Sequence, residues 1–181
     1  IFCCVIHILH FGNRKSTIRQ LVTKKQIDLG DIPPAVDKWM NNIKVPGYKV
    51  FLFGWGNYES EKYRFTEEYP DASLACTSTH DSESFWEFLE ALSDPQIYEL
   101  GAYLGIQEGE EFTIDDLRKL SIKKLIDSPS RYVMFPLQDV LGKGIRINTP
   151  GSVSEDNWSK VISVGDQELK SLSEFSALIK S

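Results

Sequence analysis

The stretch Ser73-Leu74-Ala75-Cys76-Thr77-Ser78-Thr79-His80-Asp81-Ser82 carries the fold. Its first four residues form a short, mostly apolar run. The next six are polar and lead into Phe85, Trp86, Phe88, Leu89 and Leu92, an apolar stripe at helical spacing. A strand that passes through a polar loop into a helix is the repeating unit of α/β proteins, which place their chemistry past the carboxyl ends of strands. His80 and Asp81 occupy that place. An imidazole beside a carboxylate is more often a hydrogen-bonded structural pair than a catalytic one, so their meaning depends on their neighbours.

Outward from this stretch the same pattern recurs. Lys49-Val50-Phe51-Leu52-Phe53 and Tyr132-Val133-Met134-Phe135-Pro136-Leu137 are apolar runs without alternation, as expected of strands covered on both faces in a parallel sheet. Gly54-Trp55-Gly56-Asn57 reads as a flexible loop that exposes its aromatic. The spacing predicts helices over Ala35 to Asn42 (Val36, Trp39 and Met40 on one side), Ser82 to Leu92, Pro95 to Leu104, Asp115 to Ile126 and Gln167 to Ile179, the last with Leu169, Leu172, Phe175 and Leu178 inward. Ser82 and Ser84 both suit an N-cap, and Thr113 suits the cap of its helix. Apolar strands separated by helices imply α/β architecture with right-handed parallel crossovers. These three strands, plus one expected before Asp28, make about half of a closed barrel, since a TIM barrel needs roughly 250 residues.

Composition narrows the function. The 181 residues are 41% hydrophobic and 25% charged, ordinary for one globular core. The net charge of −6 conceals an asymmetry. Residues 1–26 hold Arg14, Lys15, Arg19, Lys24 and Lys25 and no acidic residue, which leaves the remainder with 15 basic against 26 acidic residues, a net of −11. A body that acidic is a poor partner for nucleic acid. Cys3, Cys4 and Cys76 have neither disulfide-framework nor zinc spacing, so a reducing cytoplasm is expected. Ile1 to Leu9 is far shorter than the roughly 20 residues of a membrane span and lacks the flanks of a signal peptide, so no membrane association is expected. His7 and His10 would share a helical face, yet no third metal ligand lies near them in sequence. The acidic run from Glu108 to Asp116 lacks the alternating ligands of a calcium loop and reads as solvated surface.

Polar residues past the strand ends converge: Asp28, then Trp55 and Asn57, then His80 and Asp81, then Gln138, Asp139, Arg146 and Asn148. An aromatic platform with carboxylates, amides and an arginine is what a sugar site requires, because rings stack on the apolar face of a pyranose while polar groups take its hydroxyls. Any one of these residues could equally stabilise a loop.

The blocks Asp28-Leu29-Gly30-Asp31-Ile32-Pro33-Pro34, Lys49 to Trp55, Thr77 to Ser82, Pro136-Leu137-Gln138-Asp139-Val140-Leu141-Gly142, Arg146-Ile147-Asn148-Thr149-Pro150-Gly151 and Asn157-Trp158, in that order, resemble the 4-α-glucanotransferases, the amylomaltases and disproportionating enzymes. The resemblance implies that residues 28–181 are the C-terminal half of a TIM-barrel domain, about its last four strand-helix units, with residues 1–27 outside it. It implies transfer of an α-1,4-glucan segment to an acceptor glucan or glucose by a retaining double displacement, with no metal or organic cofactor, and maltooligosaccharides as partners. By the same resemblance Asp81 is the carboxylate that steadies the oxocarbenium-like transition state, with His80 beside it on the sugar. Asp28, Trp55, Arg146 and Asn148 fall at sugar-binding positions.

A retaining mechanism also needs a nucleophile and an acid/base carboxyl about 5 to 5.5 Å apart. The family's acid/base glutamate directly precedes the Asp-Leu-Gly block, where this sequence has Ile27, which cannot transfer a proton. The nucleophile belongs to an earlier strand that nothing in residues 2–26 resembles. The expectation is therefore a truncated or frame-disrupted piece, active only with the other barrel half. The alternatives are a non-catalytic α-glucan-binding remnant and a fragment without function.

Overall fold

The computed structural model describes residues 7–11, 34–43, 45–58 and 64–180. Three of the apolar runs become parallel strands: β2 (Gly47–Val50), β3 (Ser73–Cys76) and β4 (Tyr132–Pro136). β2 pairs with β3 from Gly47 opposite Ser73 to Val50 opposite Cys76, and β3 pairs with β4 through Leu74–Tyr132 and Ala75–Val133. Within this parallel set, strands adjacent in sequence are adjacent in space, the commonest arrangement of consecutive strands. The sheet is mixed and not wholly parallel, because β1 (His7–Phe11) adds antiparallel to β4 at the opposite end from β2, in the order β1-β4-β3-β2. No strand was expected over these residues, so β1 is an addition to the expected parallel set. His7 and His10 therefore lie on a strand, three positions apart, and not on one helical face. The residues directly before Asp28 lie outside the described residues.

Helices α1 (Pro34–Asn42), α2 (Phe85–Ala91), α3 (Asp94–Leu104), α4 (Ile114–Ile126), α5 (Leu137–Leu141) and α6 (Asp166–Lys180) complete the described elements. Their starts follow from capping chemistry. Ser84, Ser93 and Thr113 each sit in a reciprocal capping box with Glu87, Gln96 and Asp116, which satisfies the orphan N–H groups of the first turns. Gly105 closes α3 at φ 95°, a conformation open to glycine at little cost. α4 packs against α2, α3 and α6. Between helices and sheet lies one apolar cluster that includes Phe51, Leu74, Phe85, Leu89, Leu117, Leu125, Val133, Phe135 and Phe175. Each fully buried side chain of this size contributes about 1.5 to 3 kcal/mol of transfer free energy. Among the described residues no helix is long and apolar enough to cross a membrane.

Two strands are shorter than their apolar runs. β2 stops at Val50, and Phe51–Gly54 coil into a 3₁₀ turn that drives Phe51 and Leu52 fully into the core, with the Phe51 ring edge-on to Phe85 at 5.8 Å. The Leu52 N–H still reaches the Thr77 carbonyl at 3.2 Å, so sheet bonding outlasts the strand by one step. β4 stops at Pro136 and turns at once into α5, which Gly142 closes at φ 64°. In α1, Met40 is buried but Trp39 is 57% exposed, and in α6 Leu169 is likewise exposed while Phe175 is buried. Those two apolar faces are narrower than the spacing predicts.

Candidate active site

The loop after β3 is held from below. Asp139, the third residue of α5, is fully buried and accepts hydrogen bonds from the hydroxyls of Thr77 (2.5 Å) and Ser78 (2.5 Å) and from the N–H of Phe85 (2.9 Å). One carboxylate thereby joins the end of β3, the first turn of α2 and the end of β4. Burial pushes its carboxyl up to about 6, against the pull of those three donors and of Arg118. Arg118, also buried, donates to the carbonyls of Asp139 (3.2 Å) and Val140 (2.6 Å) and pairs with Asp115. Cys76 is a free, buried thiol whose pKa burial raises well above the ordinary thiol range, so it is no nucleophile.

On this floor the loop folds into a tight polar turn. The Ser82 hydroxyl accepts the Thr79 N–H at 3.0 Å and is shared between the carbonyls of Thr79 and Glu83, while the Asp81 N–H reaches the Thr79 Oγ1 at 3.2 Å. Ser82 is therefore a loop tie and Ser84 is the cap of α2. The turn presents His80 and Asp81 outward, each side chain 38% exposed.

A second loop, residues 143–165, meets them. Asn148 Nδ2 donates to Asp81 Oδ1 at 2.7 Å, and His80 Nε2 lies 3.1 Å from Asp81 Oδ2, so each carboxylate oxygen is held from one side. Arg146 donates to the backbone carbonyls of Asp81 (3.1 Å) and Asn148 (2.9 Å) and thus fastens one loop to the other. The Trp158 ring lies 5.0 Å from the His80 ring at 42°, and the backbone N–H of Trp158 donates to the Ile147 carbonyl at 2.9 Å. Its backbone is left-handed at φ 62°, a strained state for a bulky residue that costs on the order of 1 to 3 kcal/mol. Beside the cluster Tyr58 donates to both oxygens of Glu83 at 3.1 and 2.9 Å. Burial, then the Glu83 carboxylate, push the Tyr58 hydroxyl up to about 12.

Four expected site residues, His80, Asp81, Arg146 and Asn148, therefore form one hydrogen-bonded group. Asp28, like Ile27, lies outside the described residues. Trp55 is not exposed: the 3₁₀ turn before it swings the ring inward, where it is 2% exposed, 4.9 Å from Tyr103 and 6.1 Å from Phe51, beneath the Arg64 guanidinium. Its flanking glycines suggest an open loop, but long-range apolar packing overrides them. Trp158 and Glu83 went unassigned from the sequence, and the only signal for Trp158 was its place in the last block, Asn157-Trp158. Among the described residues no group of three or more His, Cys, Asp or Glu is placed to hold a metal ion.

A family model described as 4-alpha-glucanotransferase matches residues 22–164. The chain belongs to the 4-alpha-glucanotransferase family. The 4-alpha-glucanotransferase of Synechocystis sp. is 28% identical over 135 residues, which make up 72% of this chain and 25% of that protein. The chloroplastic/amyloplastic 4-alpha-glucanotransferase of Solanum tuberosum is 30% identical over 134 residues, 73% of this chain and 22% of that one. Among solved structures, the amylomaltase from Streptococcus agalactiae in complex with acarbose aligns with a TM-score of 0.68 at 21% identity, covering 84% of this chain and 31% of that one, a likeness of fold. The chain thus spans about a quarter of the length of the curated relatives it matches.

Proposed function

We propose that the His80–Asp81–Arg146–Asn148 group is part of the sugar site of a 4-α-glucanotransferase, and that Asp81 supplies a stabilising carboxylate to transfer of an α-1,4-glucan segment by retaining double displacement. The observation that carries this reading is the state of Asp81. It is half-exposed, with one oxygen held by Asn148 and the other by His80, while its backbone is clamped by Arg146. A carboxylate accepts about four hydrogen bonds, so lone pairs remain for sugar hydroxyls. Because its orientation is set beforehand, its charge faces a developing oxocarbenium ion without reorganisation. Trp55 has no part in this reading, since a ring 2% exposed offers no face to a ligand.

The partial TIM barrel belongs to the same proposal, supported by parallel strands that are sequential neighbours and by the fold likeness to an amylomaltase. So does the need for a missing barrel half. Ile27 stands where the family has its acid/base glutamate, and loss of that proton transfer alone removes about 10² to 10⁴ in rate. The division at residue 27 rests on the change in charge composition, and the family match itself begins at residue 22. A reducing, cytoplasmic setting is supported by the free Cys76.

The test is a disproportionation assay of the 181-residue chain on maltotriose, paired with calorimetry against maltoheptaose. The expected result is binding without turnover, with binding lost in Asp81→Ala. Robust turnover by this chain overturns the assignment of inactivity, and unaltered binding by Asp81→Ala overturns the site.

A further inference from the structure

The sugar site needs an aromatic face, and the residue expected to provide it, Trp55, is buried in the core. We infer that Trp158 is the platform on which a glucose ring of an α-1,4-glucan stacks, with His80 and Asp81 taking hydroxyls of that ring or the next. The inference rests on the sugar-site reading above and adds to it a binding residue and the face it recognises.

Three observations carry it. Trp158 is 42% exposed although its ring lies 5.0 Å from His80, so the indole is anchored along one side and open to solvent on the other. Its backbone is the only left-handed non-glycine among the described residues, so that position would suit glycine better than tryptophan. Core packing does not require the ring either, since Trp158 is no member of the apolar cluster. A strained, half-exposed aromatic at the edge of a polar cluster is spent on something other than stability. Third, the backbone bond from the Trp158 N–H to the Ile147 carbonyl places the ring on the segment whose flanking residues, Arg146 and Asn148, hold Asp81. Platform and carboxylate are therefore linked through one short segment. An indole beside a carboxylate and an imidazole offers both surfaces that an α-glucose ring presents, an apolar C–H face and an edge of hydroxyls.

The decisive variant is Trp158→Gly, which removes the ring and relaxes the left-handed backbone while leaving the Ile147 bond in place. Calorimetric titration with maltoheptaose, alongside thermal unfolding, is expected to show a melting temperature equal to or above that of the parent chain and an affinity at least about threefold to tenfold weaker, the range of one aromatic stacking contact. Trp158→Phe keeps a smaller ring and is expected to fall between the two. Undiminished affinity in Trp158→Gly, with binding still lost in Asp81→Ala, overturns the platform and leaves the sugar site standing. Absence of maltoheptaose binding by the parent chain overturns both. A fall in melting temperature in Trp158→Gly overturns the premise that the ring is spent on ligand, since that outcome makes it a packing residue.

Discussion

Asp81 follows β3 and Asp139 follows β4, so both carboxylates stand past the carboxyl ends of neighbouring parallel strands, yet the Asp81 side chain is 38% exposed and Asp139 is 0% exposed. Their partners differ to match. Asp139 accepts two hydroxyls and one backbone N–H from residues more than fifty positions away in sequence and has spent its capacity on the fold. Asp81 is held by an amide and an imidazole at the rim and keeps capacity for a ligand. The tryptophans divide the same way, Trp55 inside and Trp158 at the rim. The two aspartates are alike in type and in place after a strand, so their difference in burial comes from long-range surroundings.

Truncating the inner members should act first on stability. Trp55→Ala is expected to cost about 3 to 5 kcal/mol, the range for deleting a large buried aromatic, read by chemical denaturation. Asp139→Ala follows at roughly 3 kcal/mol: the Thr77 and Ser78 hydroxyls can rotate to other acceptors, but the Phe85 N–H cannot, and a buried orphan donor costs about 1 to 3 kcal/mol alone.

Titration distinguishes the inner carboxylate without removing it. Burial raises Asp139 from 3.8 to about 6 in the fold, so between those values the native state holds a proton that the unfolded chain has released. Stability from this group is therefore fully present below pH 3.8 and is lost as pH rises through about 6. At about 1.4 kcal/mol per pH unit the window is worth roughly 2 to 3 kcal/mol. The melting temperature of the parent chain relative to Asp139→Asn, which does not titrate, should fall as pH is raised from 4 to 7. A flat or rising difference would mean that the three donors outweigh burial.

The rim members should respond in the opposite sense. Asp81→Asn is expected to change stability by less than about 0.5 kcal/mol while weakening maltoheptaose binding about ten- to a hundredfold, the range of a hydrogen bond to a charged group. Asn148→Ala, which frees Asp81 without removing it, should weaken binding only a few-fold. A large stability loss from Asp81→Asn would erase the contrast between the two aspartates.

What the sequence discloses follows the range of the forces involved. β3, β4 and the starts of α2 and α4 are legible because an apolar run and a Ser84–Glu87 or Thr113–Asp116 box are local signals. The early end of β2 and the burial of Trp55 are not legible, since both depend on Phe85 and Tyr103, residues brought in by later helices. His80, Asp81, Arg146 and Asn148 were assigned to one site through ordered blocks and strand ends, and the structure brings them into contact. That Asp139 is a tether and Trp158 a rim aromatic depends on which loop lies above which, a relation that spacing does not record. The antiparallel β1 has no sequence signal beyond a short apolar run, and its pairing with β4 depends on a strand more than 120 residues away.

The second loop is pinched shut at its base, where Trp158 bonds Ile147 and the Asn157 side chain bonds both the Thr149 N–H and the Ser152 carbonyl. Beyond the pinch, residues 151–156 are exposed, with Val153 bare at the tip. Length at that tip is thereby uncoupled from the chemistry beneath it: doubling a flexible excursion costs only about 0.6 kcal/mol, and the added residues would hang from a closed neck. Insertions there would extend outward from the closed neck, away from Asp81, which makes the tip the place where the loop can be lengthened at little cost to the fold.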